Sequence, residues 1–462
     1  MTAQTMTGAG GRTRQRSRPI PLPRDYAWLS ARDIWLVVAG VGLIVAAMWV
    51  RHGGMTQDPL AIIGQVTALS GTYAALVGVL FASRAPWLDQ VIGPDGLRAA
   101  HRVLGFLSVW AIGAHAVFST LAFAGGSIGE AIPTLISLTE TVPGMLGAIV
   151  GLGLFVFVGV SSVRAARARL SYETWQGLHL YAYLAVAFGY LHQLTIGTDF
   201  AADPLAAAFW IALYIAAFLP LLVHRVGWPL YVTLRHRPRV LGVAREGDGI
   251  FSLYVAGRNL DRLAVRSGQF FIVRALTVKD WMHGHPFSIS AAPSADHLRF
   301  TIKEFGEGTR ALATLAPGTP LMLEGPYGAM HGARRRRRKV LLVAGGIGVA
   351  PMRAMAESFP YGPGDLDVIY RARGRREAAL LGEMEALAAD RGIRLHFVAG
   401  KRGDPGVGAD PLGPESLRRM VPDAADRDVY VCGPDGLMGR ARSSLLDLGT
   451  DPARIHFELF TT

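Results

Sequence analysis

Between Asp33 and His224 the sequence carries six long apolar runs, and after Arg225 it carries none. They cover roughly residues 33–50, 60–82, 99–123, 143–163, 176–196 and 205–224, each close to the ~20 apolar residues that a spanning helix needs. The first half therefore reads as an all-α bundle of six transmembrane helices, and the second as ordinary soluble sequence. Arginine placement orients the bundle. Arg84, Arg98 and Arg102 lie between the second and third runs, Arg164, Arg167 and Arg169 after the fourth, and Arg225 after the sixth. The loops on the other side hold Arg51 as their one cation, beside Asp58, Glu130, Glu140, Asp199 and Asp203. The positive-inside rule then puts both termini in the cytoplasm of a multi-pass protein of the cell membrane. Residues 1–32 are polar and basic, without the early apolar core of a cleavable signal peptide, so the first run is expected to remain as a helix. Much of the net charge of +12 follows from this bias, and no nucleic-acid partner is expected. A single cysteine, Cys432, excludes a disulfide framework and a cysteine-held iron–sulfur cluster.

Four histidines interrupt the apolar runs. The third run carries His101 and His115, and the fifth carries His179 and His192. Both helices run from inside to outside. Intervals of 14 and 13 residues correspond to ~21 Å and ~20 Å along a helix. One imidazole of each helix thus lies near the inner edge of the bilayer and one near the outer. Pairing by depth gives His101 with His179 and His115 with His192. Ionisable groups at membrane depth are costly and usually functional. Haem iron accepts an axial imidazole on each face, so two b haems stacked across the membrane account for all four. For any one histidine, a hydrogen bond inside the bundle is the simpler reading; matched depths on two parallel helices favour the haems for the set. One feature fits imperfectly. Fourteen residues return to within ~40° of the starting helix face, whereas 13 miss it by ~140°. Bending, crossing angle or rotamer must compensate on the fifth helix. Arg98 and Arg102 are placed to pair with haem propionates, and His52 and His224 read as interfacial.

From about Val240 to Gly328 the pattern changes to short alternating strands: RVLGVAREG, IFSLYVAGR, GQFFIVRAL, HPFSISAA, HLRFTIKEF and TPLMLEGP. Such runs, punctuated by Gly and Pro, predict a small antiparallel β-barrel. After Lys339 strands alternate with amphipathic helices, as KVLLVAGG, LDVIYRAR, IRLHFVAG, RDVYVCGP and ARIHFELF. This predicts a doubly wound α/β domain on a parallel sheet.

SGQF (267–270), HPFSIS (285–290), EGPYG (324–328), GGIGVAP (345–351) and CGPDGLM (432–438) resemble, in this order, the ferredoxin–NADP reductase module. Joined to six helices with paired histidines, the chain resembles the ferric reductase and NADPH oxidase superfamily of transmembrane flavocytochromes b over roughly residues 33–460. The resemblance implies four parts: the cytoplasmic N-terminus (1–32), a transmembrane haem domain (33–224), an FAD-binding barrel (236–332) and an NAD(P)-binding domain (339–462).

It also implies roles for single residues. His285, Pro286, Phe287, Ser288, Ile289 and Ser290 form a strand along the flavin, with the Ser288 hydroxyl on its reactive edge. His285 stands where related reductases have a pyrophosphate-binding arginine, so phosphate contacts fall to Lys303 and the turn of Gly306, Gly308 and Thr309. Gly345, Gly346, Gly348 and Pro351 open the helix after the first parallel strand, where glycine admits a dinucleotide and the helix N-terminus favours its phosphates. Arg371, Arg373, Arg375 and Arg376 follow the next strand, with no acidic residue placed for a ribose 2′-hydroxyl. Guanidinium groups suit a 2′-phosphate, so NADPH is preferred, with NADH as the alternative. Cys432, Gly433 and Pro434 form the turn beside the nicotinamide. Phe460 in HFELFTT is the candidate aromatic cover of the flavin. The basic run Arg334–Lys339 reads as a solvated turn or a contact for anionic lipid headgroups.

The expected activity is a transmembrane oxidoreductase: NADPH to FAD, to the inner haem, to the outer haem, to an outer acceptor. Ferric iron, usually chelated, is the first choice of acceptor. Oxygen giving superoxide is the second, although the oxidase branch places a histidine where this chain has Ser119. Quinone or a periplasmic redox partner is a further destination, and a reductase on an inert anchor is the reading without haem. A linker of about ten to fifteen residues after His224 is expected to keep the FAD domain near the inner face. Oligomeric state is not legible.

Overall fold

A computed structural model describes residues 29–170, 172–197, 203–277, 283–401, 403–404, 407–408 and 410–457. The membrane half begins with α1 (Ala31–Arg51), whose start is fixed by a capping box in which Ser30 and Asp33 bond each other's backbone N–H groups. α2 (Pro59–Ala82) begins at Asp58, which caps Leu60 and Ala61, with Pro59 in the first turn. α3 (Pro86–Val91) is a short, partly buried helix before α4 (Pro94–Phe123), which carries His101 and His115. An outer helix that the hydropathy pattern did not mark, α5 (Ala131–Thr141), precedes α6 (Met145–Ser162). The segment α7 (Arg164–Arg167) leads to α8 (Tyr172–His179) and α9 (Tyr181–Ile196), and α10 (Pro204–Leu222) is capped by Asp203.

Among the described residues five helices are long and apolar enough to cross a membrane: Ala31–Arg51, Pro59–Ala82, Gly96–Phe123, Met145–Ser162 and Pro204–His236. The fifth expected span, 176–196, differs. Its regular helix is interrupted at Leu180, leaving α9 with 16 residues and His179 at the end of the separate helix α8. That break lies between the two histidines whose 13-residue interval misfits a regular helix.

α2 and α4 lie against each other along glycines spaced seven apart. A Cβ on Gly64 would stand 2.5 Å from Ser119 Oγ, and one on Gly71 would stand 2.8 Å from Ile112 Cγ1 and 3.1 Å from Ala111 Cβ. Small residues allow such close approach where no hydrophobic force drives helices together in lipid. The sixth span does not end in a loose linker. α10 continues through a π-turn at Val223–Gly227 into α11 (Trp228–His236), and β1 begins at Arg239. Helix rather than coil joins the halves.

The barrel comprises two three-stranded antiparallel sheets, ordered β1-β2-β5 and β4-β3-β6. Their strands are β1 (Arg239–Gly247), β2 (Ile250–Ala256), β3 (Phe270–Ala275), β4 (His285–Ser288), β5 (His297–Lys303) and β6 (Leu321–Tyr327). Bridges Arg239–Pro320 and Ile289–Phe300 join the sheets around a core of Phe251, Leu253, Phe271, Phe300 and Leu323. The last domain is one parallel sheet of order β11-β10-β7-β8-β9. It is formed by β7 (Val340–Gly345), β8 (Leu366–Ala372), β9 (Arg394–Ala399), β10 (Asp428–Cys432) and β11 (Ile455–Phe457), with α12 (Val349–Ser358), α13 (Leu381–Arg391) and α14 (Asp435–Asp447) among its helices. The expected α/β organisation and antiparallel barrel are both present.

A buried ion network ties these two domains. Arg299 of β5 meets Glu383 of α13 through both carboxylate oxygens, at 2.7 and 3.0 Å. Arg353 Nε of α12 reaches the same carboxylate at 2.7 Å. Burial alone raises the Glu383 pKa, but the two guanidiniums hold it below the usual carboxylate range.

Two predictions follow from packing and charge. Gly71→Val inserts branched atoms where even a Cβ is too close, and should lower stability by ~1–3 kcal/mol, read as a lower thermal midpoint in detergent. Gly153→Ala in α6, which meets nothing within 4 Å, should be neutral or stabilising. Asp89 of α3 is 7 % exposed; burial pushes its carboxyl up to about 6, against the opposing pull of Arg84 and Arg225. Between the ordinary value of 3.8 and about 6 the folded chain keeps a proton that the unfolded chain has lost, so stability falls as pH rises through that window. Asp89→Asn should remove this loss, gaining ~1–3 kcal/mol over the unmutated chain at pH 7.5 and little at pH 4.5, by thermal unfolding at the two pH values.

Candidate functional site

The four membrane histidines come together as two pairs. His101 and His179 face each other with ring centres 5.9 Å apart, at an interplanar angle of 69°. Two imidazoles sharing one metal through ~2.0–2.1 Å bonds stand with ring centres roughly 6 Å apart, so this separation fits a single iron held between them. His115 and His192 are near enough to interact electrostatically.

Three of the four rings are oriented through Nδ1. His101 Nδ1 lies 3.0 Å from the Gly78 carbonyl, and His115 Nδ1 lies 2.9 Å from the Gly64 carbonyl. The 14-residue interval of the histidines on α4 thus meets an equal interval of glycines on α2. His179 Nδ1 contacts Ser162 Oγ at 3.2 Å. A bond to Nδ1 leaves Nε2 as the free lone pair, which is how ligating histidines are usually held. The residues present therefore fit haem iron. His192 Nδ1 is the exception: it is buried without a partner among the described residues. Ser119, one turn beyond His115, turns its hydroxyl to His115 Nδ1 at 3.1 Å. Among the described residues no group of three metal-binding side chains occurs, which is compatible with one axial imidazole from each helix.

Gly64 and Gly78 are functional positions that the sequence reading passed over. Their seven-residue spacing with Gly71 was visible, but its meaning depended on which helix lies opposite.

The flavin candidates lie where β4 pairs with β3. Ser288 is buried, and its Oγ has no partner among the described residues. That orphaned hydroxyl is the observation that fits a bound isoalloxazine edge. Ser290, by contrast, is engaged: Arg299 Nε donates to its Oγ at 3.1 Å and Thr301 Oγ1 at 2.7 Å. Ile289 is wholly buried in the barrel core. His285, Pro286 and Phe287 are more open. Gly308 abuts His285, since a Cβ there would stand 2.4 Å from its Nε2. Gly306 has open space, while Thr309 Oγ1 accepts from Phe305 N at 2.8 Å. Lys303 Nζ sits 5.3 Å from the Phe305 ring centre. The phosphate candidates thus cluster at the His285 end of the strand.

In the parallel-sheet domain the glycines divide into two groups. A Cβ on Gly348 would strike the Cys432 carbonyl at 2.3 Å, and one on Gly433 would stand 3.0 Å from the Gly345 Cα. These glycines bring GGIGVAP and CGP into contact with each other. Gly346, at φ +55° with nothing within 4 Å of its Cβ position, is the one facing open space. Pro351 is buried in the first turn of α12, and Pro434 precedes α14. Cys432 is 1 % exposed at the end of β10.

The arginines also divide. Arg371 donates to the Val398 and Gly400 carbonyls at 3.0 and 3.1 Å, tying β8 to the end of β9. Arg375 pairs with Glu385. Arg373 and Arg376 are exposed. Arg371 is thereby engaged in holding strands together, and Arg373 is the better candidate for a phosphate. Phe460 lies outside the described residues. The run 334–339 is chiefly structural: Arg338 pairs with Asp365, Lys339 with Asp423, and the backbone N–H groups of Arg336 and Arg337 donate to Asp428.

Three family models match this chain in sequence order. Residues 67–190 match the ferric reductase like transmembrane component, 240–331 an FAD-binding domain, and 342–443 an oxidoreductase NAD-binding domain. The reductase subunit of glycine betaine monooxygenase from Chromohalobacter salexigens is 29% identical over 237 residues, 49% of this chain and 64% of that protein. An NADPH oxidoreductase from Mycobacterium tuberculosis is 27% identical over 245 residues, 50% and 62% respectively. The chain therefore spans less than two thirds of either relative. The flavohaem-like FAD/NAD-binding domain of nitric oxide dioxygenase from Vibrio cholerae aligns at 23% identity and a TM-score of 0.42, over 48% of this chain and 98% of that one. A ferric-reductase-like membrane segment followed by an FAD-binding and an NAD-binding domain is the ordered architecture of the ferric reductase and NADPH oxidase-like flavocytochromes.

Proposed function

We propose that the chain passes electrons from cytoplasmic NADPH, with FAD and two b haems as its carriers, to an acceptor at the outer face, a ferric chelate before any other. The two histidine pairs at two depths, three of their rings fixed through Nδ1, are the observation that carries this reading. When bound, FAD takes hydride two electrons at a time and releases electrons singly, and haem iron exchanges them one by one.

The chain's own residues hold, orient and exclude. His101 with His179, and His115 with His192, would hold the two haem irons through their imidazoles. Arg98 and Arg102 lie on the inner turns of α4 to meet propionates. Ser288 offers its unpartnered hydroxyl to the flavin edge, while Lys303 and Gly306–Thr309 serve the pyrophosphate. Gly346 and the start of α12 receive dinucleotide phosphate. Arg373 would meet the 2′-phosphate that distinguishes NADPH and Cys432 would border the nicotinamide, while Phe460, the candidate cover of the flavin, lies outside the described residues. The contact of Arg84, from the turn between α2 and α3, with Glu324 of the barrel supports placing that turn, and with it both termini, on the cytoplasmic side.

Ferric chelate is preferred to oxygen because Ser119 replaces the oxidase histidine and its hydroxyl is turned to His115. Arg51, the one cation of the outer loops, lies 3.9 Å from Asp203, which also meets His52 at 3.1 Å. Arg51 is therefore partly balanced by Asp203. Oxygen, quinone and a periplasmic redox protein are the other outcomes of an assay with each acceptor supplied alone.

The test is a reduced-minus-oxidised spectrum of purified protein with its haem-to-flavin ratio. Two haems per flavin are expected, with about half the haem lost in His115→Ala or His192→Ala. A colourless membrane domain, or full haem content in those variants, overturns the assignment. For the nucleotide, Arg373→Ala should raise KM for NADPH ~10-fold and leave KM for NADH unchanged, since a forked guanidinium–phosphate contact contributes about that factor. Equal effects on both nucleotides would remove Arg373 from the 2′-phosphate site.

A further inference from the structure

Glu324 is the most heavily solicited carboxylate in the described chain. Its side chain on β6 is 4% exposed. Arg84 Nη1 lies 3.1 Å away, Arg225 Nη1 3.5 Å and Arg274 Nη2 3.6 Å. Tyr327 Oη donates to it at 3.1 Å. The next carbonyl, Gly325, accepts from Trp228 Nε1 at 2.7 Å. Arg84, Arg225 and Trp228 belong to the membrane half, so three of these five contacts cross from the helices to the barrel.

Two local irregularities deliver those arginines. Arg84 adopts φ +57°, a left-handed conformation disfavoured for a side chain of this size and found where the surroundings demand it. Arg225 sits in the π-turn of Val223–Gly227; such turns mark positions where a helix re-aims a residue for function. A left-handed residue commonly ends a helix at this position and is usually glycine; here it is Arg84. Each irregularity brings a guanidinium to the same buried oxygen. A carboxylate in this position, removed from water, tolerates no loss of partner and little change of geometry.

We propose that Glu324 is a positioning residue that latches the FAD barrel to the inner end of the helices and so sets the approach of flavin to the inner histidine pair. This rests on the electron-transfer reading above. The latch governs one step: the two electrons of each hydride leave the flavin singly for the membrane half, and the accompanying proton is released to water. It does not govern hydride arrival, which involves the face shared by barrel and parallel sheet. A misplacement of reacting groups by ~1 Å is enough to cost ~100-fold in a positioned reaction.

The test uses the full chain in detergent or lipid nanodiscs. In Glu324→Gln, flavin absorbance and NADPH-driven reduction of a soluble dye that takes electrons directly from flavin should stay within about twofold of the unmutated chain, while ferric-chelate reduction falls at least ~10-fold. Glu324→Asp should recover part of the chelate rate and none of the already normal dye rate. Hydrogen–deuterium exchange should rise over 86–91 and 321–327 in Glu324→Gln, whether or not haem is bound. Dye and chelate rates falling together, neither rate falling, or unchanged exchange would each overturn the latch. An unmutated chain that reduces dye but no chelate sinks the electron-transfer reading instead, and the exchange comparison then still decides whether Glu324 holds the two halves together.

Discussion

A histidine inside hydrocarbon has one ring nitrogen too many for a ligand, and the structure depends on how that second nitrogen is satisfied. On α4 the answer is a carbonyl of the neighbouring helix: Gly78 for His101 and Gly64 for His115. A carbonyl already in a helical ladder has a second lone pair to offer. It can reach a side chain on another helix only if the two backbones lie close, and glycine is what allows α2 that approach. The glycines at 64, 71 and 78 are therefore both packing surface and ligand support. Disturbing the helix contact and disturbing the histidine tautomer are the same event.

The same economy of parts recurs where the halves meet. The membrane domain hands the chain to the barrel through continuous helix, α10 to π-turn to α11, rather than through a flexible tether. A stiff connection fixes direction but not rotation about the helix axis. The guanidiniums gathered on Glu324 supply the missing restraint from the far side of the barrel strand, and Arg299 with Glu383 does the same between barrel and parallel sheet. Each of the two interfaces thus centres on one carboxylate gripped by more than one arginine, Glu324 buried and Glu383 partly exposed.

Much of this was legible in the sequence, for physical reasons. Long apolar runs leave few alternatives to a membrane bundle, and period-two strands followed by strand–helix alternation leave few alternatives to a barrel and a parallel sheet. Pairing the histidines by depth needed only the helical rise. What escaped was whatever depends on neighbours. The break at Leu180 carries no proline or glycine at that position. The expected linker after His224 was helix, because WPLYVTLRH has no strong breaker after Pro229 at its start. Arg371 looked like its neighbours in YRARGRR, yet β9 carbonyls lie beside it and not beside Arg373. Glu324 was read as part of a motif, and nothing local announces that Arg84, 240 residues earlier, is its partner.

His192 shows how a site residue can be placed without a bond of its own. Most polar side chains in the spans are satisfied within their helix: Thr67, Ser70, Thr120 and Ser161 each donate to a carbonyl three or four residues back. Such back-bonding removes the cost of the hydroxyl in lipid and fastens nothing else. Gln193 behaves differently. Its amide donates to Thr72 Oγ1 of α2 at 2.9 Å and accepts from Tyr214 Oη of α10 at 2.8 Å. Side-chain bonds between helices fix both rotation and depth, and this pair acts one residue from His192. On the other side Gly144 presents open backbone to Thr195 and to the Cα of His192. The outer ligand on α9 is thus held by its chain neighbours, while its ring is left to be oriented by whatever it binds. Under the proposed haem reading, the three anchored histidines would define where iron could sit, and the fourth would be oriented by it.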